Sequence, residues 1–154
     1  MGKLLIDCAN GVGGLALRKL RIYIGDSLTI EPLNTETTVL GTLNNQCGAD
    51  FVKTNQKLPP SLSGLLKPGQ RACSLDGDAD RLIYFYLDEN CRFCLLDGDK
   101  IAALAAIFVL DLVKMAGLES KLDVGVVQTA YANGSSTRYL SEVGQLFSLR
   151  IALI

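Results

Sequence analysis

The chain has 154 residues, 49% of them hydrophobic and 20% charged, with a formal net charge of −1. This length suits one domain of roughly 100–200 residues, or one domain and part of another, and the apolar fraction is ample for a packed core. The balance of 15 basic and 16 acidic residues argues against a nucleic-acid partner, and the absence of histidine excludes Ser-His-Asp catalysis and histidine-ligated zinc.

The cysteines and the N-terminus predict a cytoplasmic protein with reduced thiols. The odd, scattered set of cysteines is not a disulfide framework; it comprises Cys8, Cys47, Cys73, Cys91 and Cys94. An acid at Asp7 and the lack of a long apolar stretch argue against a signal peptide. The most apolar segment, 101–110, is about half the roughly 20 residues that a membrane span needs, so no membrane partner is expected.

The first half of the sequence predicts two strands and two helical segments. The strands cover residues 4–6 and 28–33, and the helical segments cover 15–22 and 49–53. Pro32 cannot donate a backbone hydrogen bond, so the second strand is predicted to end, or to lie, at a sheet edge. A polar loop over 34–46 connects the second strand to the second helical segment, and loops of that length are commonly functional or mobile.

The second half alternates strands with helices more regularly. Strands are predicted at 72–75, 82–87, 91–96 and 124–128; helices are predicted from 97–99 to about Met115 and from 133–136 onward. Gly117 stands in the usual position after a helix. This alternation predicts an α/β fold with a mixed, largely parallel sheet and flanking helices.

Three acids at alternate positions lie between the strands 72–75 and 82–87. The segment reads Asp76-Gly77-Asp78-Ala79-Asp80-Arg81. Such acids repel one another unless a cation lies among them, and the small residues between them let the backbone curl. An EF-hand loop needs Gly at its sixth position and Glu at its twelfth, but these positions are Arg81 and Leu87 here, so an EF-hand is excluded. The motif predicts a site for a hard cation such as Mg²⁺; the alternative is a solvated acidic turn.

A glycine-rich turn follows the first strand and precedes a helix. Gly11, Gly13 and Ala16 fit the G-x-G-x-x-A pattern, and Glu31 lies twenty residues after Gly11, as in a dinucleotide-binding unit. Small residues at a tight strand-to-helix turn also satisfy this pattern for packing reasons alone. Both interpretations, an NAD-binding module and tight packing, remain open at this point.

Three other motifs have structural explanations. The Cys-x-x-Cys pair in 91–94 falls on a strand, where positions three apart face opposite sides, and no second pair completes a zinc site. The acids in 97–99 precede a helix and suit helix capping. The segment 133–136 has backbone amides and hydroxyl groups at the start of a helix, which could cap the helix or bind an anion.

Several segments resemble the α-D-phosphohexomutase family, and within it the phosphoacetylglucosamine mutases. Residues 73–81 resemble the family's metal-binding loop. Segments that resemble that branch are 4–11, 43–44, 47–53, 56–57, 96–101 and 126–140. The resemblance implies that residues 1–96 form a metal-binding unit like the family's second domain. It also implies that 97–154 match part of the third domain, with a divergent tail from about residue 143.

The resemblance implies an isomerase that interconverts N-acetylglucosamine 6-phosphate and 1-phosphate, for UDP-N-acetylglucosamine biosynthesis. The substrate of the full-length enzyme is then a phosphorylated N-acetylhexosamine, and the reaction uses a phosphoserine and Mg²⁺. By the same resemblance Asp76, Asp78 and Asp80 bind Mg²⁺, with Mn²⁺ or Zn²⁺ as substitutes, and Arg81 lies next to the transferring phosphate.

The nucleophile of that family is missing from this sequence. The phosphoserine loop contains Ser-His-Asn, which a chain without histidine cannot hold, and Ser135 and Ser136 lie in the wrong context. The sequence therefore predicts a fragment that carries the Mg²⁺ loop and is inactive alone. A non-catalytic domain that acts through association is a further alternative.

Overall fold

A computed structural model describes residues 2–129, 133–147 and 149–153 of the chain, with side chains described up to residue 142. The chain divides into two compact units, Met1–Asp97 and Gly98–Ile154. Each unit has its own sheet and its own core.

The first unit is a five-stranded sheet with helices. Its elements are β1 (Gly2–Asp7), α1 (Gly13–Ile24), β2 (Leu28–Leu33), α2 (Gly48–Asn55), β3 (Arg71–Leu75), β4 (Leu82–Leu87) and β5 (Phe93–Leu96), with short 3₁₀ turns at Gly25–Ser27 and Pro60–Leu62. The strand order is β2-β1-β3-β4-β5. The interior strand β1 runs parallel to β2 and to the central strand β3, whereas β3, β4 and β5 are antiparallel neighbours. The predicted α/β fold with a mixed sheet is confirmed, and β2, which contains Pro32, lies at an edge.

Alternating residues of the strands build a core on each face of this sheet. On one face Leu5 and Phe85 pack with Val52 of α2, and the rings of Phe85 and Phe93 lie 5.5 Å apart between centroids. On the other face Ile6 and its buried neighbours pack against α1. Because side chains alternate along a strand, β1 contributes to both cores and is covered on both sides.

The second unit contains two helices and a two-stranded sheet. Its elements are α3 (Gly98–Met115), β6 (Val124–Gln128), α4 (Gly134–Phe147) and β7 (Leu149–Leu153). The strands β6 and β7 pair in parallel, and α4 connects them. The buried core of this unit comprises Ala103, Ala106, Leu110 and Leu140.

The observed elements differ from the predicted ones mainly at their ends. The strand predicted at 91–96 begins at Phe93, because Cys91 lies in a turn with φ 59° and its amide donates to the carbonyl of Asp88. The strand β7 was not predicted. Gly117, with φ 64°, follows α3 as expected. Among the described residues, no helix is long and apolar enough to cross a membrane.

Candidate metal centre

The three acids lie on the loop that joins β3 to β4. These strands form an antiparallel hairpin in which Leu75 pairs with Leu82, so the loop closes the end of the hairpin. The Ala79 amide donates to the Asp76 carbonyl at 3.1 Å, and Ala79 adopts a left-handed conformation with φ 62°. The tight, left-handed turn is what curls the segment onto itself.

This curl brings the three carboxylates together. Oxygen atoms of Asp76, Asp78 and Asp80 lie within 4.8 Å of one another; Asp76 is buried and the other two are exposed. Oxygens on opposite sides of an octahedral Mg²⁺ ion lie about 4.2 Å apart, since each bond is about 2.1 Å. A donor set made only of carboxylate oxygens, at nearly this spacing and open to solvent, fits a hard divalent cation.

The carboxylates of the loop perturb one another. The pKa of Asp80 is raised above its usual range, first by the negative charge of Asp78 and then by the hydrogen bond and charge of Asp76. Burial raises the pKa of Asp76, but hydrogen bonds from the backbone and side chain of Arg81 outweigh burial, and the net shift is downward. Repulsion is therefore concentrated on the exposed side of the loop, where a cation would relieve it.

Arg81 is held between two acids from different parts of the chain. Its Nε donates to Asp76 Oδ2 at 2.6 Å, and its two terminal nitrogens donate to the two oxygens of Asp50 at 2.6 and 2.9 Å. These contacts raise the pKa of Arg81, with the Asp50 hydrogen bonds as the largest cause. The Arg81 side chain is still 60% exposed, so part of the guanidinium faces solvent beside the acid loop.

The glycine-rich turn packs against the acid loop. A Cβ at Gly11 would lie 2.1 Å from the carbonyl oxygen of Gly77, and the amide of Val12 donates to that same oxygen at 3.0 Å. A Cβ at Gly13 would meet the side chain of Leu75 at 2.7 Å. Glu31 forms an ion pair with Lys3 at 2.5 Å. The structure thus favours tight packing over the NAD-binding interpretation of this motif.

The polar loop 34–46 lies beside the same turn. Asn10 donates from Nδ2 to the carbonyl of Thr42 and accepts the amide of Glu36 through Oδ1, at 3.1 and 3.0 Å. A Cβ at Gly77 would meet Leu43 at 2.9 Å. A cavity of about 220 Å³ between these segments is lined by Asn10, Gly11, Val12, Thr37, Val39, Thr42, Leu43 and Gly77. The loop is therefore a neighbour of the acid loop.

Two acids near the site were missed by the sequence analysis. Asp50 was assigned only to a predicted helical segment, and Asp7 served only as an argument against a signal peptide, although Asp7 is fully buried and accepts four hydrogen bonds. The Asp50–Arg81 contact spans 31 residues, so no local pattern could have found it. For Asp7 a signal existed, since an acid that follows a run of buried apolar residues needs hydrogen-bond donors.

The remaining motifs lie elsewhere. The thiols of Cys91 and Cys94 are free; Cys91 is exposed in the turn before β5, and Cys94 is half-buried on that strand. Asp99 lies in the first turn of α3. Asn133 accepts the amide of Ser135 through Oδ1 at 2.9 Å, which is the capping arrangement expected at the start of α4.

Comparison with known proteins identifies the family. The fold is shared with a solved member of the α-D-phosphohexomutase superfamily: N-acetylglucosamine-phosphate mutase in its apo form is 41% identical and superposes with a TM-score of 0.82 over 99% of this chain and 32% of its own. The family model described as "Phosphoacetylglucosamine mutase AMG1, domain II" matches residues 1–83, and the model for domain III matches residues 97–151. The chain belongs to the phosphoacetylglucosamine mutase family.

Individual relatives agree with this assignment. Phosphoacetylglucosamine mutase 1 of Schizosaccharomyces pombe is 50% identical over 94% of this chain and 27% of its own length. The Homo sapiens enzyme is 50% identical over 91% of this chain and 25% of its own length. The crystal structure of Aspergillus fumigatus N-acetylphosphoglucosamine mutase in complex with GlcNAc-6P and magnesium is 49% identical. It superposes with a TM-score of 0.85 over 99% of this chain and 28% of its own.

The matches cover only part of each relative. The chain spans about a quarter of the length of the curated relatives it matches. The domain III model extends to residue 151, so it includes most of the tail from about residue 143 that the sequence analysis describes as divergent.

Proposed function

We propose that this chain supplies the magnesium-binding part of a phosphoacetylglucosamine mutase, with Asp76, Asp78 and Asp80 as the metal ligands. The whole enzyme would interconvert N-acetylglucosamine 6-phosphate and 1-phosphate through a phosphoserine. The convergence of the three carboxylates at the end of the β3–β4 hairpin is the observation that carries the proposal. Mn²⁺ or Zn²⁺ would substitute for Mg²⁺ in the same oxygen set.

The bound cation would offset negative charge on the oxygens of a transferring phosphoryl group. Arg81 adds a second positive charge beside the loop, and its contacts with Asp76 and Asp50 hold the guanidinium in place without enclosing it. Guanidinium groups in this setting form strong, directional hydrogen bonds to phosphate oxygens. We therefore assign Arg81 a supporting role next to the transferring phosphate.

We further propose that residues 1–96 correspond to the second domain of the enzyme and 97–154 to part of the third. The 154 residues contain no histidine and hence no Ser-His-Asn loop. We expect a polypeptide of this sequence to show no mutase activity by itself, because the nucleophile and the remaining substrate contacts are both absent. Turnover of N-acetylglucosamine 6-phosphate by a preparation from a host without its own mutase would contradict this.

Metal titration tests the proposal. We expect weak Mg²⁺ binding, because Mg²⁺ dehydrates reluctantly and uses phosphate oxygens that this chain does not supply, and we expect tighter Mn²⁺ binding. Asp78→Asn should weaken Mn²⁺ binding in a calorimetric titration while the chain stays folded. Removal of one of three repelling charges should also raise the melting temperature of the metal-free chain.

Asp26→Asn is the matched control for this titration. It removes the same charge from an exposed position in the 3₁₀ turn after α1 and should leave Mn²⁺ binding unchanged. Equal Mn²⁺ affinity in Asp78→Asn and in the unmodified chain would show that the loop is only a solvated turn. A parallel titration with NAD(H) tests the dinucleotide interpretation and should show no binding.

A further inference from the structure

We infer that Asp7 is a positioning residue that fixes both acids that hold Arg81; this inference rests on the proposed function of the acid loop. Asp7 is the last residue of β1 and is fully buried. It touches neither Arg81 nor the proposed metal ligands in any hydrogen bond of the described residues, so it would act through the segments that it binds.

One oxygen of Asp7 joins the two segments that lead to these acids. Its Oδ2 accepts the amide of Gly48 at 2.6 Å and the hydroxyl of Ser74 at 2.8 Å. Gly48 lies two residues before Asp50, and Ser74 lies two residues before Asp76. Since Asp50 and Asp76 both bind Arg81, a single carboxylate oxygen sets the distance between the two sides of the Arg81 site.

The second oxygen fixes the loops on either side. Asp7 Oδ1 accepts the amide of Ala9 at 3.1 Å and the side-chain amide of Asn34 at 2.7 Å. Asn34 also donates to Ser61 at 2.8 Å, which ties the loop after β2 to the 3₁₀ turn that begins at Pro60. The four donors come from four different segments of the chain, and each carboxylate oxygen of Asp7 accepts two of them.

The contact with α2 replaces an ordinary helix cap. The N-cap residue Cys47 makes no side-chain capping hydrogen bond, so Asp7 supplies an acceptor for the first amide of the helix. Gly48 is held tightly there: its φ is 87°, and a Cβ would lie 2.8 Å from Ala9 and 3.2 Å from the carbonyl of Leu75. The start of α2, and with it Asp50, therefore depends on the position of Asp7.

The Asp7→Asn substitution tests this inference. Whichever way the asparagine amide is turned, its NH₂ group faces at least one fixed N–H donor, because backbone or amide N–H groups bind both oxygens of Asp7. We expect the NMR chemical shift of the Arg81 Nε–H proton to move toward the value of an arginine without hydrogen-bond partners. We also expect Mn²⁺ affinity to fall by roughly tenfold, because Arg81, the hydrogen-bond partner of the proposed ligand Asp76, would shift, and loss of such a partner weakens metal binding by about tenfold to a hundredfold.

Leu66→Ala is the control, since Leu66 is buried in the core around Phe85 and the change destabilises the fold without removing an Asp7 contact. Its Arg81 signal and its Mn²⁺ affinity should stay as in the unmodified chain at a temperature where both proteins are folded. If Asp7→Asn leaves the Arg81 signal unchanged, or if Leu66→Ala moves it equally, Asp7 is only a structural residue and the inference is wrong.

A second variant and the choice of signal keep the test decisive. Should Asp7→Asn not fold, Ser74→Ala removes one donor and should shift the Arg81 signal in the same direction by a smaller amount; no shift would overturn the inference. The Arg81 signal needs no metal. Failure of the unmodified chain to bind Mn²⁺ would refute the proposed metal site, while the Arg81 signal would still decide the role of Asp7.

Discussion

Substitution of Gly11 by alanine probes the packing between the glycine-rich turn and the acid loop. The new Cβ would lie 2.1 Å from the carbonyl oxygen of Gly77, and 2.6 and 2.7 Å from its Cα and carbonyl carbon. To reach an ordinary contact of 3.4 Å, that oxygen must move by about 1.3 Å. All three atoms belong to the backbone of the acid loop, so no side-chain rotation can relieve the clash.

The expected cost follows from these contacts. Overpacking in a tight site costs about 1–3 kcal/mol, and loss of the Val12 amide to Gly77 carbonyl hydrogen bond adds about 1 kcal/mol. Alanine also restricts the unfolded chain, which raises the free energy of unfolding by about 0.4–1 kcal/mol. We expect Gly11→Ala to lower the free energy of unfolding of the first unit by about 2–3 kcal/mol.

Urea unfolding followed by NMR signals of β1 and β3 measures this free energy for the first unit alone. Gly98→Ala is the control, because a Cβ at Gly98 meets no atom within 4 Å and this residue starts a helix, where alanine is favourable. Mn²⁺ affinity should also fall in Gly11→Ala, since the acid loop must shift. If the free energy of unfolding of Gly11→Ala lies within about 0.5 kcal/mol of that of the unmodified chain, the glycine-rich turn does not support the acid loop.

Three further predictions concern stability and reactivity. Phe85→Ala should cost about 3–5 kcal/mol in urea unfolding, because Phe85 is fully buried in the main core; a cost below about 1 kcal/mol would contradict that packing. Because the pKa of Asp76 is lowered on folding, its stabilising effect should be present above pH 3.8 and be lost as the pH falls through the lowered value. The stability difference from Asp76→Asn should therefore shrink on acidification, and a constant difference would be evidence against it. Burial raises the pKa of Cys73 to about 12, so iodoacetamide at about pH 8 should label the exposed Cys91 before Cys73. Peptide mass spectrometry measures the two labelling rates. Equal labelling of the two thiols would show that the first unit is open.

Local sequence patterns predicted most of the elements of the fold. The strands Leu28–Leu33, Leu82–Leu87 and Val124–Gln128 have the bounds that their apolar runs and flanking turn residues predict. The strand Leu149–Leu153 was missed because its partner, β6, is separated from it by a whole helix. Strand pairing over such a distance leaves no periodic signal in the sequence.

The same distinction applies to the candidate site. The alternation of Asp76, Asp78 and Asp80 is a local pattern, because one short hairpin loop carries all three, and their convergence could be predicted. The contact between Arg81 and Asp50 depends on how α2 packs beside the β3–β4 hairpin, and the sequence alone contains no rule for it. The role of Asp7 depends in the same way on four segments that meet only in the folded chain.

Anomalous diffraction from a crystal of this chain soaked in Mn²⁺, recorded near the manganese absorption edge, tests the metal site most directly. We predict an anomalous peak between the carboxylates of Asp76, Asp78 and Asp80, at about 2.0–2.3 Å from an oxygen of each. The same soak of Asp78→Asn crystals should give a weaker peak or none. A strong Mn²⁺ peak elsewhere in the chain, with none in this loop, would contradict the assignment of these three acids as the metal ligands.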